Sequence, residues 1–283
     1  MLRLLIPKTL RRVLRLWGHN IKFMIEGSGW RPLSWALKGL GILDYAKRPL
    51  VMEVKSYSQL DHLKSCQREP ETVAWLENNF RPGEILYDIG ANVGAYSLIA
   101  WTVTAGQGRI YAFEPGFSTF DALVQNLILN KCGDKIIPLP VALADRTEIF
   151  YFHYSDISPG HALHELSDFS ASAQRVPHPA FSQPMLGWRL DDFIEKFNLP
   201  HPTHLKIDVD GEELRVIKGA ERTLASPTLK SLLIEINESL AGAAEIKERL
   251  HSAGLVMSNS YKRKRPQTFN YIFERKRGET SYF

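Results

Sequence analysis

Cysteine is scarce in this chain of 283 residues: it has two, Cys66 and Cys132. Two cysteines at this separation form neither a disulfide framework nor a Cys-x-x-Cys pair. The sequence also lacks an apolar run of about 18 residues, the length that a helix needs to span a bilayer. It lacks a clear N-terminal signal sequence with a small-residue cleavage site. We therefore expect a cytoplasmic protein that folds around a buried apolar core.

The dinucleotide-binding motif Gly-x-Gly-x-x-Gly is missing as well. The nearest segment follows the apolar residues 85–87 and opens a helical pattern, and it contains Asp88, Gly90, Asn92 and Gly94. Asn92 stands where a second glycine lets the backbone approach a pyrophosphate. The segment therefore favours a nucleoside cofactor without a pyrophosphate. An NAD-dependent oxidoreductase is the alternative enzyme.

Four acidic residues stand at the ends of apolar runs, where the strands of an open α/β sheet would finish. They are Asp88, Glu114, Asp208 and Glu235. Ligands of such sheets bind beyond the carboxyl ends of the strands, and an acid after the second strand is placed to bind a ribose. The pattern predicts that the four acids share one rim of a nucleoside-binding cleft.

Apolar runs and helical patterns alternate through the chain from about Glu71 onward. Strands separated by helices indicate a parallel sheet with helices on both faces, and the last two strands suggest an antiparallel hairpin. The predicted strands span residues 85–89, 109–113, 136–141, 204–208, 231–237, 255–259 and 269–274. The predicted helices span residues 94–104, 117–130, 211–225 and 243–253.

Residues 153–188 interrupt this alternation with four histidines and four prolines. Long irregular insertions in compact domains are usually functional or disordered. We interpret the segment as a lid or substrate-facing loop, with a plain surface excursion as the alternative.

The first 55 residues carry eleven Lys or Arg against three Asp or Glu. Apolar residues recur at helical spacing between basic ones in residues 8–25, which is typical of a basic amphipathic helix; a second amphipathic segment covers residues 33–43. We interpret residues 1–70 as a helical extension of a main domain formed by residues 71–283. The first helix would pack on that domain or on a second subunit, or lie on an anionic membrane surface. No zinc pattern or aromatic-interleaved basic platform favours nucleic acid.

Six sequence blocks resemble, in order and spacing, the FkbM family of S-adenosylmethionine-dependent methyltransferases. They are Asp-Ile-Gly-Ala-Asn-Val-Gly-x-Tyr-Ser (88–97), Phe-Glu-Pro (113–115), Val-Ala-Leu-x-Asp (141–145), Leu-Asp-Asp-Phe (190–193), Lys-Ile-Asp-Val-Asp-Gly-x-Glu (206–213) and Ile-Glu-Ile (234–236). The resemblance implies an α/β, Rossmann-like class I methyltransferase: a seven-stranded, mostly parallel sheet of order 3-2-1-4-5-7-6 with strand 7 antiparallel. It implies O-methylation of a hydroxyl on a sugar, glycan or natural product.

The resemblance also implies roles for individual residues. The residues that would line the S-adenosylmethionine site are Asp88, Gly90, Ala91, Asn92, Gly94, Glu114, Val141, Ala142 and Asp145. Glu114 would bind the ribose hydroxyls, and Val141 and Ala142 would lie near the adenine. Asp208 would lie near the reacting centre.

A hydroxyl must lose its proton as it attacks the methyl group, so a nearby carboxylate or histidine assists the reaction. We predict that Asp208 orients or deprotonates the acceptor, with His161 or His164 as the other candidates. In a second version, Asp208, Asp210 and Glu235 would bind Mg²⁺ through carboxylate oxygens. We favour the version without metal, because Asp210 and Glu213 fit a capping box at the start of the next helix. A non-catalytic protein docked on a membrane or partner is the alternative outside enzymes.

Overall fold

The computed structural model describes residues 22–24 and 38–276, except residues 170 and 172. Its strands are β1 (Lys22–Met24), β2 (Lys38–Ile42), β3 (Val51–Val54), β4 (Ile85–Ile89), β5 (Arg109–Phe113), β6 (Ile136–Leu139), β7 (Ala142–Leu143), β8 (Glu148–Tyr154), β9 (Glu165–Asp168), β10 (Phe181–Trp188), β11 (His204–Ile207), β12 (Ser231–Asn237), β13 (Leu255–Lys262) and β14 (Thr268–Arg275). Its helices are α1 (Tyr57–His62), α2 (Ser65–Arg68), α3 (Pro70–Asn79), α4 (Ala95–Val103), α5 (Phe117–Asn130), α6 (Leu190–Phe197), α7 (Glu213–Gly219), α8 (Glu221–Ala225) and α9 (Ala243–Ser252).

The central sheet has seven strands in the order β13-β14-β12-β11-β4-β5-β6. Strand β14 runs antiparallel to both of its neighbours, and the other pairs are parallel. Numbered along the chain from β4, this order is 3-2-1-4-5-7-6. The strand order and the antiparallel seventh strand that the resemblance implied are therefore confirmed.

Several strands and one helix have the bounds that the apolar runs of the sequence predict. Strands 85–89, 109–113 and 231–237 and helix 117–130 match their predicted ranges. The helix predicted over residues 211–225 is instead two short helices, α7 and α8, joined at Ala220.

Apolar side chains cover both faces of the central sheet. One cluster joins Leu86, Leu98 and Leu123 to residues that precede the sheet, including Leu50 and Leu63. The other face is covered by a second buried cluster that includes residues of α6, α7 and α9. Since residues 43–63 share the first cluster with the sheet and its helices, packing continues across the boundary predicted near residue 71.

The segment predicted as an irregular insertion contributes to a second sheet. This four-stranded sheet has the order β7-β10-β8-β9, and β9 and β10 both lie inside residues 153–188. The interpretation of these residues as wholly irregular was therefore wrong. Aromatic residues in β8 pair with β10 despite Pro184, which lies opposite Tyr151 in the antiparallel ladder.

The N-terminal segment also differs from its predicted helical form. Residues 8–21 and 25 of the predicted basic helix lie outside the described residues, whereas Lys22–Met24 is a strand that pairs antiparallel with β2. Within the amphipathic segment predicted at residues 33–43, residues 33–37 lie outside the described residues and residues 38–42 form strand β2, which pairs with β3. Residues 22–24 and 38–42 therefore form strands and not the predicted helices. Within residues 22–24 and 38–276, no helix has the length and apolar character needed to cross a bilayer.

Candidate functional site

The turn after β4 is built around residues with left-handed backbone angles. Gly90 has φ +77°, Asn92 has φ +50° and Gly94 has φ +84°. The N–H groups of Gly90 and Ala91 donate to the carbonyl of Phe113 at 3.0 and 2.9 Å, which fastens the turn to the end of β5. A Cβ at residue 90 would overlap the backbone carbonyl of Asp208, so the ends of β4 and β11 can approach only because residue 90 is glycine.

Two cavities open at the carboxyl ends of the central strands and meet at this turn. We call the first the apolar cavity; its walls include Phe113, Glu114, Val141, Ala142, Phe152 and His164. We call the second the polar cavity; its walls include His62, Tyr96, Lys206, Glu235, Arg263 and Arg265. Gly90, Asn92, Asp208 and Asp210 belong to both walls. The meeting point lies at the ends of the parallel strands β4 and β11. The strand order reverses between these two strands, and ligands of such sheets bind at that position.

Glu114 lines the apolar cavity and ties the turn after β4 to the loop after β5. Its Oε2 accepts from the N–H of Asn92 at 3.0 Å, and its Oε1 accepts from the N–H of Gly116 at 2.8 Å. Burial raises the pKa of Glu114 to about 7, and the two N–H donors only partly offset that effect. Each carboxylate oxygen keeps a second lone pair, so Glu114 can still accept from a ligand hydroxyl.

Asp88 lies beneath the cavities and lines neither of them. It is fully buried, and the Ser97 hydroxyl donates to its Oδ2 at 2.6 Å. The Nζ of Lys206 lies 3.5 Å from Asp88 Oδ1 and 3.5 Å from Asp208 Oδ2. Asp88 therefore supports the cavity wall through Lys206.

Lys206 is one of the residues of the site that the sequence did not predict. It is almost fully buried, and its Nζ lies 5.2 Å from the centre of the Tyr96 ring. Burial alone would lower the pKa of Lys206, but the carboxylates of Asp208 and Asp88 outweigh burial and raise it above its ordinary value. The signal in the sequence was a lysine inside the apolar strand His204–Ile207. In the sheet register, Lys206 lies next to Asp88 of β4.

Asp208 lies between the two cavities. Burial would raise its pKa, but Lys206, Arg263 and Arg265 outweigh burial and hold the pKa below its ordinary value. Asp208 is therefore a carboxylate at neutral pH. It can accept a hydrogen bond from a hydroxyl or face a developing positive charge.

The predicted capping box at Asp210 and Glu213 was wrong. Asp210 has φ +54°; its Oδ2 accepts from the N–H of Leu163 at 2.8 Å, and its Oδ1 pairs with Arg265 at 2.8 Å. Glu213 instead accepts from the N–H groups of Val209 and Gly211, at 3.2 and 3.1 Å. The carboxylate of Asp210 binds Leu163 and Arg265, which are distant in the sequence, and therefore does not cap the next helix. A local capping pattern cannot reveal such contacts.

The three carboxylates proposed as a second-version Mg²⁺ site are held by basic side chains. Arg263 Nε lies 3.0 Å from Glu235 Oε2, and Arg265 lies 3.6 Å from the other Glu235 oxygen. Burial and the Asp208 carboxylate raise the pKa of Glu235 to about 8 in spite of the arginines. Within the described part of the chain, no group of three His, Cys, Asp or Glu residues is arranged to hold a metal ion. A metal here would have to displace both arginines.

The predicted catalytic histidines lie on the apolar side. His161 and His164 line the apolar cavity, and the ring nitrogen Nδ1 of each lies within 3.4 Å of the Ser155 hydroxyl. Burial lowers the pKa of His164. The polar cavity contains a different histidine, His62 at the end of α1, in the segment that the sequence assigned to an extension.

The remaining predicted cofactor residues separate into two groups. Ala91 lines the polar cavity, as do Gly90 and Asn92. Gly94 and Asp145 line neither cavity. A Cβ at residue 94 would collide with the Leu123 side chain, so Gly94 allows α4 and α5 to pack. Asp145 is paired with Arg215 at 3.0 Å.

The family model of the methyltransferase FkbM domain matches residues 88–257. The chain is 24% identical over 200 residues to the hexuronic acid methyltransferase AglP of Haloferax volcanii, covering 68% of this chain and 75% of that protein. It is 24% identical over 195 residues to the 31-O-demethyl-FK506 methyltransferase FkbM of Streptomyces tacrolimicus, covering 62% and 74%.

Among solved structures, the chain is similar to the methyltransferase FkbM of Methylobacillus flagellatus KT, with a TM-score of 0.49 and 16% identity. That alignment covers 69% of this chain and 44% of the other chain, so this chain spans less than half of that protein's length. The family match covers more than half of this chain and includes the glycine turn, Glu114 and Asp208. The chain therefore belongs to the FkbM family of S-adenosylmethionine-dependent methyltransferases.

Proposed function

We propose that this methyltransferase transfers the methyl group of S-adenosylmethionine to a hydroxyl of a sugar, glycan or natural product. The junction of the two cavities at Gly90, Asn92 and Asp208 carries the proposal. The apolar cavity suits the adenosyl group, since it offers aromatic and aliphatic walls together with Glu114, whose carboxylate can bind the ribose. The polar cavity suits the charged methionine end of the cofactor and a polar acceptor.

The names of two relatives support an oxygen-rich acceptor, a sugar acid in one case and a natural product in the other. One relative is named for hexuronic acid, a sugar acid, and the other for the 31-O-demethyl form of FK506. In this chain, the walls of the polar cavity are rich in hydrogen-bonding groups, including Asp208, Glu235 and Tyr96. Such walls fit an acceptor that carries hydroxyl groups.

Methyl transfer is an in-line displacement in which the acceptor oxygen attacks as the carbon–sulfur bond breaks. The cofactor supplies the reactive methyl group, and the protein mainly holds the two partners in line. We assign to Asp208 an electrostatic role beside the acceptor hydroxyl. Its lowered pKa keeps it ionised, and its negative charge offsets the positive charge that grows on the attacking oxygen.

The first test is methyl transfer from labelled S-adenosylmethionine to methyl glycosides of glucose and glucuronic acid and to a macrocyclic polyol. We expect transfer to hydroxyl oxygen, and we expect Asp208→Asn to lower kcat by about tenfold to a hundredfold without a matching loss of cofactor affinity. Calorimetry should show binding of S-adenosylhomocysteine and none of NAD. Binding of NAD, or full turnover by the Asp208→Asn variant, would contradict the proposal.

Glu114 should make cofactor affinity depend on pH. Its pKa of about 7 means that it is largely protonated at pH 6, whereas two ribose hydroxyls are best bound by the carboxylate. We expect S-adenosylhomocysteine to bind about tenfold more weakly at pH 6 than at pH 8, as measured by calorimetry.

Glu114→Gln is the matched control for this pH dependence. Glu212 lines the same cavity, and burial raises its pKa to about 7 as well. The Glu114→Gln variant should bind more weakly and show a flatter profile if Glu114 is responsible. An unchanged pH profile in the variant would assign the effect to Glu212.

A further inference from the structure

We propose that His62 takes the proton from the acceptor hydroxyl during methyl transfer. This inference rests on the proposed hydroxyl methylation and adds a catalytic residue from outside the family match, which covers residues 88–257. His62 is the last residue of α1, and it lines the polar cavity together with Asp208.

The orientation of the His62 ring is fixed by the loop that carries Gly160. Nε2 lies 3.0 Å from the Gly160 carbonyl, which can only accept, so Nε2 carries the hydrogen of the neutral ring. Cδ2 faces the same residue, at 3.2 Å from the position of a Cβ on Gly160. Nδ1 is the ring atom opposite the Nε2–Cδ2 edge, so it points away from Gly160 with its lone pair available.

No described residue forms a hydrogen bond with His62 Nδ1. Nδ1 is also not one of the fully buried polar atoms that lack a hydrogen-bond partner, so it remains accessible. A base needs these two properties: an available lone pair and access to the ligand. His161 and His164 differ, because each directs a ring nitrogen to Ser155 in the apolar cavity.

The burial of His62 keeps its ring neutral before the reaction. Burial lowers the pKa to about 4, with a smaller contribution from Arg68 on α2. The hydrogen bond to Gly160 and the carboxylates of Asp61 and Asp208 act in the opposite direction. His62 is therefore an unprotonated base across the neutral pH range. The imidazolium that forms would face the Asp208 carboxylate across the same cavity.

The atoms and charges of the step balance. A lone pair of the acceptor oxygen forms the new O–CH₃ bond, and the electrons of the S–CH₃ bond return to sulfur, giving neutral S-adenosylhomocysteine. The hydroxyl proton passes to His62 Nδ1. The imidazolium then releases this proton to water through the cavity opening. An attacking hydroxyl becomes strongly acidic as its oxygen gains the methyl group, so even a weak base can accept the proton.

The test is His62→Gln, which keeps an N–H donor for the Gly160 carbonyl and removes the base. We expect kcat on the most active glycoside of the acceptor panel to fall about a hundredfold, while affinity for S-adenosylhomocysteine and the melting temperature change little. The variant's rate should rise about tenfold per pH unit between pH 7 and 9, because solvent must then remove the proton. The wild-type rate should change only through the titration of Glu235, whose pKa is about 8 in the same cavity. The exposed His251→Gln is the matched control and should behave as wild type.

A His62→Gln variant that keeps its turnover within about threefold, or whose activity stays flat with pH, would overturn the role given to His62 and leave the proposed function standing. A loss of cofactor affinity equal to the loss of turnover would show a structural role and overturn it too. A wild-type protein that binds S-adenosylhomocysteine but methylates no hydroxyl would overturn the proposed function, and this inference with it.

Discussion

Replacing Lys206 by Met should destabilise the fold by about 3–5 kcal/mol at neutral pH. Lys206 is the cation that pairs with the fully buried Asp88, at 3.5 Å. Methionine matches the length of the lysine stem but leaves the Asp88 carboxylate buried with one hydroxyl donor, Ser97. The free energy of unfolding from urea denaturation at pH 7 measures the effect.

Two controls separate this effect from the loss of an ordinary ion pair. The double variant Asp88→Asn/Lys206→Met removes both buried charges and should recover at least half of the stability that Lys206→Met loses. Lys47 pairs with Glu77 at 2.9 Å on the surface, and Lys47→Met should cost less than about 1 kcal/mol. A Lys206→Met variant as stable as the Lys47→Met variant would refute the structural role given to the buried pair.

The central sheet could be predicted from the sequence because its signals are local. Most of the parallel strands are short apolar runs with buried side chains on both faces, and Gly, Pro or an acidic residue marks the end of each. Strand Ile85–Ile89 is such a run, and so is Ser231–Asn237. The order of the strands came from the resemblance, since a local pattern does not identify the neighbour of a strand.

The second sheet and the strands before residue 55 escaped prediction because their signals are mixed. Strand Phe181–Trp188 contains Pro184 and Gly187, and both residues are usually read as breaks. Strand Lys38–Ile42 carries two glycines, and its pairing with β3 is a tertiary contact. Such strands form because a partner strand is present, so their own residues indicate them weakly.

The candidate site was predicted in part, and the division has a physical reason. Glu114 and Asp208 follow strands directly, so their position on the rim follows from the sheet. The roles of Lys206 and His62 depend on tertiary contacts. Lys206 pairs with Asp88 on the neighbouring strand, and His62 contacts a loop about 100 residues away in the chain. A lysine inside an apolar strand is nevertheless a usable signal, because burying a charge is costly unless a partner compensates it.

The glycine turn leads to the second large effect, which concerns Gly90. Gly90→Ala should lower the free energy of unfolding by about 3 kcal/mol and weaken S-adenosylhomocysteine binding at least about a hundredfold. The new Cβ would overlap the carbonyl of Asp208, so the ends of β4 and β11 would have to separate. The hydrogen bond from Asp208 N–H to the Ile89 carbonyl, 3.0 Å long, joins these two ends and would be strained. Urea denaturation and calorimetry measure the two effects.

Gly83→Ala provides a matched control, because it isolates the cost of the backbone angle from the cost of the collision. Gly83 has φ +83°, close to the +77° of Gly90, but a Cβ there would meet no atom within 4 Å. Its replacement should cost about 1–2 kcal/mol and leave cofactor affinity unchanged. If the two alanine variants lost equal stability and bound the cofactor equally well, the contact between residue 90 and the Asp208 carbonyl would not shape the site. A larger loss confined to Gly90→Ala would show that this glycine lets the two strand ends approach closely enough to place Asp208 between the cavities.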